Sequence, residues 1–295
     1  MDRFARPGHP GFGSPLLNAD DRRMVSSAKP SLARMFFALT MMGLGVLGFI
    51  YGDFAMVWQR LPFEHVPAQR QLAYACAAIE FFAGIALLFR STARFSAGLL
   101  TLYVLLWLLL LKLHDVIAMP RMEASWLGFG EIAVIFAGAW VLYASLADSG
   151  RWPARGIVTG KTRVRCATVV FALALPMIGL SHFFYSEQTL ALVPAWLPFR
   201  LAWVYLTGAG SILAAFAILF GILPRLAATL EAVMLSMITL LVWGPGVIAT
   251  PTDRTQWTAL IISFAIAGGA WLVANSYRGP SRFGAGAYGM NPSLG

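Results

Sequence analysis

The sequence predicts an all-α integral membrane protein with eight transmembrane helices, arranged as two repeated four-helix bundle units. The first observation behind this prediction is composition. Of 295 residues, 59% are hydrophobic and 12% are charged, with a mean hydropathy of +0.71, whereas soluble domains carry about 25% charged residues. Several apolar runs reach the roughly 20 residues that a helix needs to cross a bilayer. Because only helices and closed barrels satisfy their backbone in lipid, runs of this length indicate helices.

The second observation is an internal repeat. The segment VIAMP at 116–120 recurs as VIATP at 247–251, and Gly138-Ala139-Trp140 recurs as Gly269-Ala270-Trp271. Both pairs are 131 residues apart, since 247 minus 116 and 269 minus 138 give the same number. The same offset pairs Trp126 with Trp257, Arg94 with Arg225, Phe89 with Phe220 and Tyr74 with Tyr205. One structural unit is therefore used twice.

The elements follow in order along the chain. Residues 1–30 are polar and predict a disordered cytoplasmic tail. The first unit, 31–147, holds predicted helices at about 31–51, 72–89, 95–113 and 127–146. A basic cytoplasmic linker at 148–165 precedes the second unit, 166–275, with helices at about 166–184, 201–220, 226–243 and 257–275. Residues 276–295, rich in Gly, Ser and Pro, predict a flexible cytoplasmic tail.

The distribution of basic residues predicts the orientation. The two tails, the linker and the two short turns hold 16 Lys and Arg, and the other four loops hold 6. Cytoplasmic segments carry the excess of positive charge. We therefore expect a multi-pass protein of the bacterial inner membrane with both termini in the cytoplasm.

The charge and cysteine patterns exclude several classes of function. The formal charge of +9 lies in the connections between apolar runs, so it is explained by topology and does not predict a nucleic-acid partner. Cys76 and Cys166 form no C-x-x-C motif. We find no motif for a protein-bound haem, flavin or metal and predict no metal site, which leaves a quinone as the cofactor class to consider.

Three motifs of the second unit resemble the DoxX-like family of membrane proteins. They are GLSH at 179–182, VPAWLP at 193–198 and AGGAW at 267–271. The resemblance covers 165–275 well and 35–147 more loosely. It implies a compact four-helix membrane unit, here duplicated in tandem, and for some members a role in quinone-linked oxidation of sulfur compounds or thiols in respiratory membranes.

The two units differ in their ionisable residues, and this difference supplies the candidate site. At the common offset, Glu80 stands opposite Ser211, Lys112 opposite Trp243, His114 opposite Pro245, Asp115 opposite Gly246 and Glu131 opposite Ile262. His182 is the exception, because its counterpart is Tyr51. Residues shared by both units serve packing, as Gly138 and Gly269 do in the small-residue seam that we expect within each unit. The unshared residues are our functional candidates: Glu80, Lys112, His114, Asp115, Glu131 and His182.

Each candidate also has a simpler explanation. Lys112 can extend to the head groups, and Glu131 can interact with a helix dipole. His114 and Asp115 can be ordinary interface residues, and His182 can bond a loop carbonyl oxygen. Glu231, near Arg225, is assigned a structural role. Glu80 resists such an explanation, because an acid about 12 Å deep costs about 2.5–3.5 kcal/mol to insert. We expect Glu80, Lys112 and Glu131 to form one polar site in the outer half of the membrane, with His114 and Asp115 at its mouth.

Three functions fit these observations. The first is a membrane subunit or accessory of a quinone-linked redox system, with a redox-protein partner. The second is a carrier or binding protein for a small or lipid-like molecule. The third is a non-catalytic membrane scaffold. The sequence does not separate them, and it leaves the oligomeric state and any partner other than membrane lipid open.

Overall fold

The computed structural model of the chain describes residues 30–55, 58–59, 67–148 and 160–277. Nearly all of the two predicted tails lies outside these residues, as do Arg151 and Arg155 of the predicted linker. Lys161, Arg163 and Arg165, which we assigned to the linker, belong to the first turns of a helix that begins at Gly160. Basic residues at a helix end can reach the head groups, so the helix begins earlier than its apolar run.

The described residues form helices with short connections. The helices are α1 (Leu32–Tyr51), α2 (Gln69–Leu88), α3 (Arg90–Ala118), α4 (Glu123–Asp148), α5 (Gly160–Phe184), α6 (Ser186–Leu192), α7 (Arg200–Leu219), α8 (Pro224–Ala249) and α9 (Arg254–Ser276). All but the short α6 are long and apolar enough to cross a membrane, eight in all among the described residues. The all-α fold with eight spanning helices is confirmed, and the chain is a multi-pass membrane protein.

Successive spans alternate in direction, which defines two sides of the molecule. The start of α1 and the end of α9 lie on one side, here the terminal side. The connections between α1 and α2, and between α5 and α7, lie on the opposite side, here the long-loop side.

The helix boundaries repeat at the spacing found in the sequence. Helix α2 and helix α7 start at Gln69 and Arg200 and end at Leu88 and Leu219, positions that are each 131 residues apart. Each start follows a residue with positive φ, which is 55° for Ala68 and 52° for Phe199. Helices α3 and α8 each contain a π-helical turn at equivalent positions, Leu108–Lys112 and Thr239–Trp243. The duplication therefore extends to backbone irregularities that composition alone does not dictate.

The helices pack as two five-membered rings that share α4 and α9. The first ring is α9–α1–α2–α3–α4, and the second ring is α4–α5–α7–α8–α9. In each ring, neighbouring helices pack against each other, and α4 also packs directly against α9. Each half of the sequence thus supplies four helices of its own ring and one helix of the other ring.

The shared pair α4 and α9 crosses at Gly138 and Gly269. A Cβ atom on Gly138 would lie 2.8 Å from the carbonyl oxygen of Gly269, and one on Gly269 would lie 2.7 Å from the carbonyl oxygen of Val134. Only glycine permits backbones to approach this closely, as small residues do at other membrane-helix crossings. We expected this small-residue seam to lie within each unit. The structure places it between the two halves, because the equivalent glycines meet each other.

Helix α3 also differs from its prediction. It continues through its π-helical turn to Ala118, so His114 and Asp115 lie within the helix and not after its end. The wider turn carries the helix past residues whose polarity suggested a boundary. The same extension carries α8 to Ala249.

Candidate functional site

The connection after α1 folds into the interior of the first ring. Phe54, Trp58 and Gln59, here called the plug, retain 8%, 0% and 2% of their exposure. The Trp58 ring packs edge-on against Tyr103 of α3, with centroids 6.2 Å apart, and Phe54 packs likewise against Trp107 at 5.9 Å. The interior of this ring is therefore filled by its own chain.

Glu80 of α2 holds the plug through hydrogen bonds. Gln59 Nε2 donates to Glu80 Oε1 over 3.0 Å and contacts the Tyr103 hydroxyl over 2.6 Å. The Tyr103 hydroxyl donates to the same Glu80 oxygen over 2.8 Å, and the Ala55 N–H donates to Gln59 Oε1 over 3.0 Å. A buried carboxyl group is costly unless it is hydrogen-bonded. Glu80 is thereby explained as the anchor of the plug.

Asp53 ties the start of the plug to α9. Its Oδ2 lies 3.0 Å from Arg254 Nη1, and Arg254 Nη2 donates to the Phe54 carbonyl oxygen over 2.6 Å. Gln69 Nε2 donates to Asp53 Oδ1 over 2.9 Å. Partial burial opposes ionisation of Asp53, but the hydrogen bonds from Gln69, Arg254 and the Phe54 N–H outweigh it and hold its pKa below the ordinary value.

The second ring has a cavity at the equivalent place. The connection after α5 forms the short helix α6, which buries none of its residues. Behind it lies a cavity of about 340 Å³ between α4, α5, α6, α8 and α9. Its polar and aromatic lining residues are Glu131, Ser181, His182, Thr189, Thr239, Trp243 and Ser263, and the other described lining residues are Leu, Ile and Val. Its size falls in the range of small-molecule sites, about 300–1,000 Å³.

Residue size explains why one ring is filled and the other is open. Thr189, which lines the cavity, is the repeat equivalent of Trp58, and Ile238 is the equivalent of Trp107. Two indole rings are thus replaced by smaller side chains. Larger grooves of 590 and 710 Å³ lie on the lipid-facing surface beside Leu32 and Phe95, which are 83% and 76% exposed. Such grooves suit bilayer lipid, whereas the 340 Å³ cavity lies inside a ring.

His182 is positioned by the crossing of α5 and α7. A Cβ atom on Gly179 would lie 2.6 Å from the Gly208 carbonyl oxygen, and one on Gly208 would lie 2.8 Å from His182 Cβ. This close approach brings His182 Nδ1 within 3.0 Å of the Thr207 hydroxyl oxygen. The hydrogen bond fixes the imidazole against α7 while the ring still lines the cavity. An imidazole so held can donate or accept a hydrogen bond according to its tautomer.

Glu131 approaches the cavity from α4, a helix of the first half of the sequence. Glu123, Leu127 and Glu131 follow one another at i, i+4 and i+8, so they share one face of α4. Leu127 and Glu131 line the cavity. Lys112 and Glu123 are close enough to act electrostatically on Glu131. The cavity therefore combines residues from both halves, which only the interlocked rings allow.

The remaining candidates are distributed differently from our prediction. Lys112 Nζ lies 3.9 Å from Asp115 Oδ2, and His114 is exposed. Glu80 bonds to Gln59 and Tyr103 and not to the Lys112 region. Along α2, Glu80 lies eleven residues after the helix start at Gln69, which is about 16 Å at 1.5 Å per residue. Our estimate of 12 Å counted from the predicted start at Leu72.

Glu231 of α8 is the residue whose role the sequence comparison underestimated. It is 2% exposed and accepts a hydrogen bond from the Ser211 hydroxyl over 2.9 Å. Ser211 is the repeat equivalent of Glu80. Each half therefore buries one carboxyl group between its second and third spanning helices, on the second helix in one half and on the third in the other. Comparing single positions missed this exchange, whereas comparing facing pairs would have found it.

Comparison with known proteins adds one match. A family profile described as a domain of unknown function (DUF8561) is similar to residues 171–243. This segment runs from α5 to the π-helical turn of α8 and includes His182, Thr189 and Trp243. The searches of curated proteins and of solved structures find no match. Among the described residues, no group of three or more His, Cys, Asp or Glu side chains could hold a metal ion.

Proposed function

We propose that this protein binds a small amphiphilic molecule in the cavity of the second ring. The observation that carries the proposal is the contrast between the rings, since the volume that Trp58 fills in the first ring is left open in the second. An amphiphilic ligand would match the lining of the cavity, in which Glu131 and His182 stand in an apolar wall of Leu, Ile and Val. Binding sites for small molecules typically combine such a wall with a few polar groups.

The test closes the cavity with the residue that fills its counterpart. Thr189→Trp places an indole at the repeat equivalent of Trp58. The probe is 4-phenylbutan-1-ol, titrated calorimetrically into protein held in phosphatidylcholine nanodiscs, with protein-free nanodiscs subtracted for partitioning. We expect the unchanged protein to bind the probe saturably and Thr189→Trp to lose at least about tenfold in affinity. Leu213→Trp is the matched control, because Leu213 is 67% exposed to the lipid side. Equal affinity in all three proteins would refute the proposal.

A quinone-linked redox role is a second candidate, with one specific observation in its favour. His182 and Glu131 line the same cavity, where the imidazole can donate to a quinone carbonyl oxygen and the carboxyl group can exchange protons. This candidate also rests on the resemblance to DoxX-like proteins and requires a partner protein as electron donor. Saturable competition by decylubiquinone against 4-phenylbutan-1-ol in the unchanged protein would support it. A failure to compete would remove it.

We propose further that the terminal side faces the cytoplasm of a bacterial inner membrane. The support is the excess of Lys and Arg on the terminal side. Reporter fusions after Pro67, Pro120, Glu187 and Asp253 should report the outer side, and fusions after Arg155 and Arg278 the cytoplasm. Under this orientation α6, which contributes Thr189 and Leu192 to the cavity lining, lies on the outer side. A cytoplasmic report from the Pro67 fusion would reverse the assignment.

A further inference from the structure

We infer that the ligand of the second-ring cavity carries a positive charge, as an organic ammonium joined to an apolar group. This inference deepens the proposed function and rests on it. It starts from three pairs of equivalent positions around the long-loop end of the rings. Where the first ring has Ile262, Tyr51 and Arg254, the second has Glu131, His182 and Glu123. The duplicated scaffold therefore differs in charge at the same place where it differs in volume.

In the first ring, a cation closes the entrance. Arg254 pairs with Asp53 over 3.0 Å and donates to the Phe54 carbonyl oxygen over 2.6 Å, so its guanidinium holds the plug in place. In the second ring, the equivalents of Arg254 and Asp53 are Glu123 and Phe184. The second ring thus presents an acid where the first supplies a base, and no equivalent of the ion pair can form there.

The charge on the lining of the cavity is also negative. Among its described lining residues, Glu131 is the one acid and none is Lys or Arg. Lys112 and Arg200 lie nearby but do not line the cavity. Lys112 Nζ is 3.9 Å from Asp115 Oδ2 and also acts electrostatically on Glu131, and the Arg200 guanidinium donates to the carbonyl oxygens of Leu190 and Val193 over 2.6 and 3.0 Å. A cationic head group would therefore meet the carboxylate of Glu131 inside an apolar ring.

Trp243 supplies the second recognition element. It lines the cavity from the π-helical turn of α8, at the position that Lys112 occupies in the first half. An indole ring attracts an ammonium group through its π face, and quaternary ammonium groups are recognised in this way. A lysine at this position would repel the same ligand. Carboxylate, indole and apolar wall together fit a cation with a hydrophobic substituent better than an anion or a polar zwitterion.

The experiment uses two probes of the same shape. Benzyltrimethylammonium carries a positive nitrogen where neopentylbenzene carries a carbon. Each probe is titrated into the full chain in phosphatidylcholine nanodiscs, whose neutral lipid does not accumulate cations, with protein-free nanodiscs subtracted. We expect the cation to bind at least about tenfold more tightly than its neutral isostere. Glu131→Gln should lower this ratio by at least about threefold and leave the share of the preference that comes from Trp243.

Two controls separate the alternatives. Glu231→Gln removes a buried acid that does not line the cavity and should keep the full preference for the cation. Trp243→Leu should lower the ratio by about three- to tenfold, and it carries the test if Glu131→Gln does not accumulate. A ratio near one in the unchanged protein overturns the inference. A ratio that Glu131→Gln leaves unchanged also overturns it, and Trp243→Leu is read in the same way where it replaces Glu131→Gln. Tight binding of neopentylbenzene with a ratio near one would overturn the charge assignment alone. Binding of neither probe would overturn the proposed function as well.

Discussion

In the first ring, the interior beside α3 is filled by Trp58, and Gln59 of the same plug bonds to Glu80 and Tyr103. In the second ring, the same position carries Thr189, and a cavity of about 340 Å³ extends behind it. The two rings have equivalent boundaries in α2 and α7, equivalent π-helical turns, and the central pair α4 and α9 in common. The comparison teaches that two copies of one membrane scaffold can differ in how their interiors are filled. One copy fills its interior with its own loop, and the other keeps a cavity inside its ring.

The buried acids show how the two halves differ in side chains while they keep the same arrangement of helices. Glu80 and Ser211 occupy equivalent positions, but the acid of the second half is Glu231 on the next helix. A carboxyl group between the second and third helices is thus common to both halves, whereas its partners are not. In the first ring the acid holds the plug, and in the second it bonds a hydroxyl of the neighbouring helix.

The largest expected effect comes from opening the first ring. Trp58→Ala removes a side chain with 0% exposure and should destabilise the protein by about 3–5 kcal/mol, the usual cost of truncating a buried large aromatic residue. Thr189→Ala, at the equivalent position of the second ring, should cost less than about 1 kcal/mol, because the cavity already exists. Thermal unfolding in detergent measures both.

Trp196→Ala is the control for this pair, since Trp196 is 71% exposed and its loss should change the melting temperature little. Similar destabilisation by Trp58→Ala and Thr189→Ala would contradict the contrast between a filled and an open ring.

The second effect concerns what the rings share. Gly138→Ala would place a Cβ atom 2.8 Å from the Gly269 carbonyl oxygen and force α4 away from α9, at a cost of about 1–3 kcal/mol. Both rings contain this pair, so the substitution should lower thermal stability and ligand affinity together. Gly244→Ala is the matched control, because a Cβ atom there would meet nothing within 4 Å. Normal stability of Gly138→Ala would show that the crossing is looser than described.

Sequence reasoning predicted the eight spans and the repeat because hydrophobicity and matched Trp, Pro and Arg residues are local signals. It also identified His182 and Glu131 as candidates. It did not predict that both line one cavity, because their meeting depends on α4 packing against the helices of the other half. The plug was also missed, since a loop containing Trp58 and Gln59 looks like an interface segment until its burial is known. Glu80 was singled out correctly as unusual, but its partners come from that unrecognised plug.

A third and smaller effect separates the two buried acids. Glu80→Ala leaves the Gln59 amide and the Tyr103 hydroxyl without their carboxyl acceptor. The net destabilisation should be about 1–2 kcal/mol, because the cost of burying the acid is removed at the same time. Glu231→Ala affects one hydroxyl, that of Ser211, which can turn to a backbone carbonyl of its own helix, so about 1 kcal/mol or less is expected. Thermal unfolding in detergent measures the difference. Glu80→Gln keeps an acceptor oxygen and should recover most of the loss, whereas an unrecovered loss would show that Glu80 needs its charge.

The smallest effect is the acid sensitivity of the first-ring entrance, where Asp53 pairs with Arg254. The pKa of Asp53 is held below its ordinary value of 3.8, so the folded state favours the ionised carboxylate. The pair therefore stabilises the protein fully above pH 3.8, and this contribution is lost as the pH falls through the lower pKa of the folded state. Its size should be at most about 1 kcal/mol, since exposed ion pairs contribute about 0.2–1 kcal/mol and the Asp53 side chain is 39% exposed.

Asp53→Asn tests this assignment, because it keeps the shape of the side chain and removes its titration. Thermal unfolding measured at pH 6 and again below pH 3.8 should show a smaller acid-induced loss in Asp53→Asn than in the unchanged protein. The variant Arg254→Met, which removes the other partner, should reduce the same loss, because Arg254 then no longer lowers the pKa of Asp53 in the folded state. The second ring has Phe184 and Glu123 at these positions and contains no such pair, so Phe184→Ala should leave the acid-induced loss unchanged. If Asp53→Asn and the unchanged protein lose the same stability on acidification, the sensitivity belongs to other carboxyl groups and not to the Asp53–Arg254 pair.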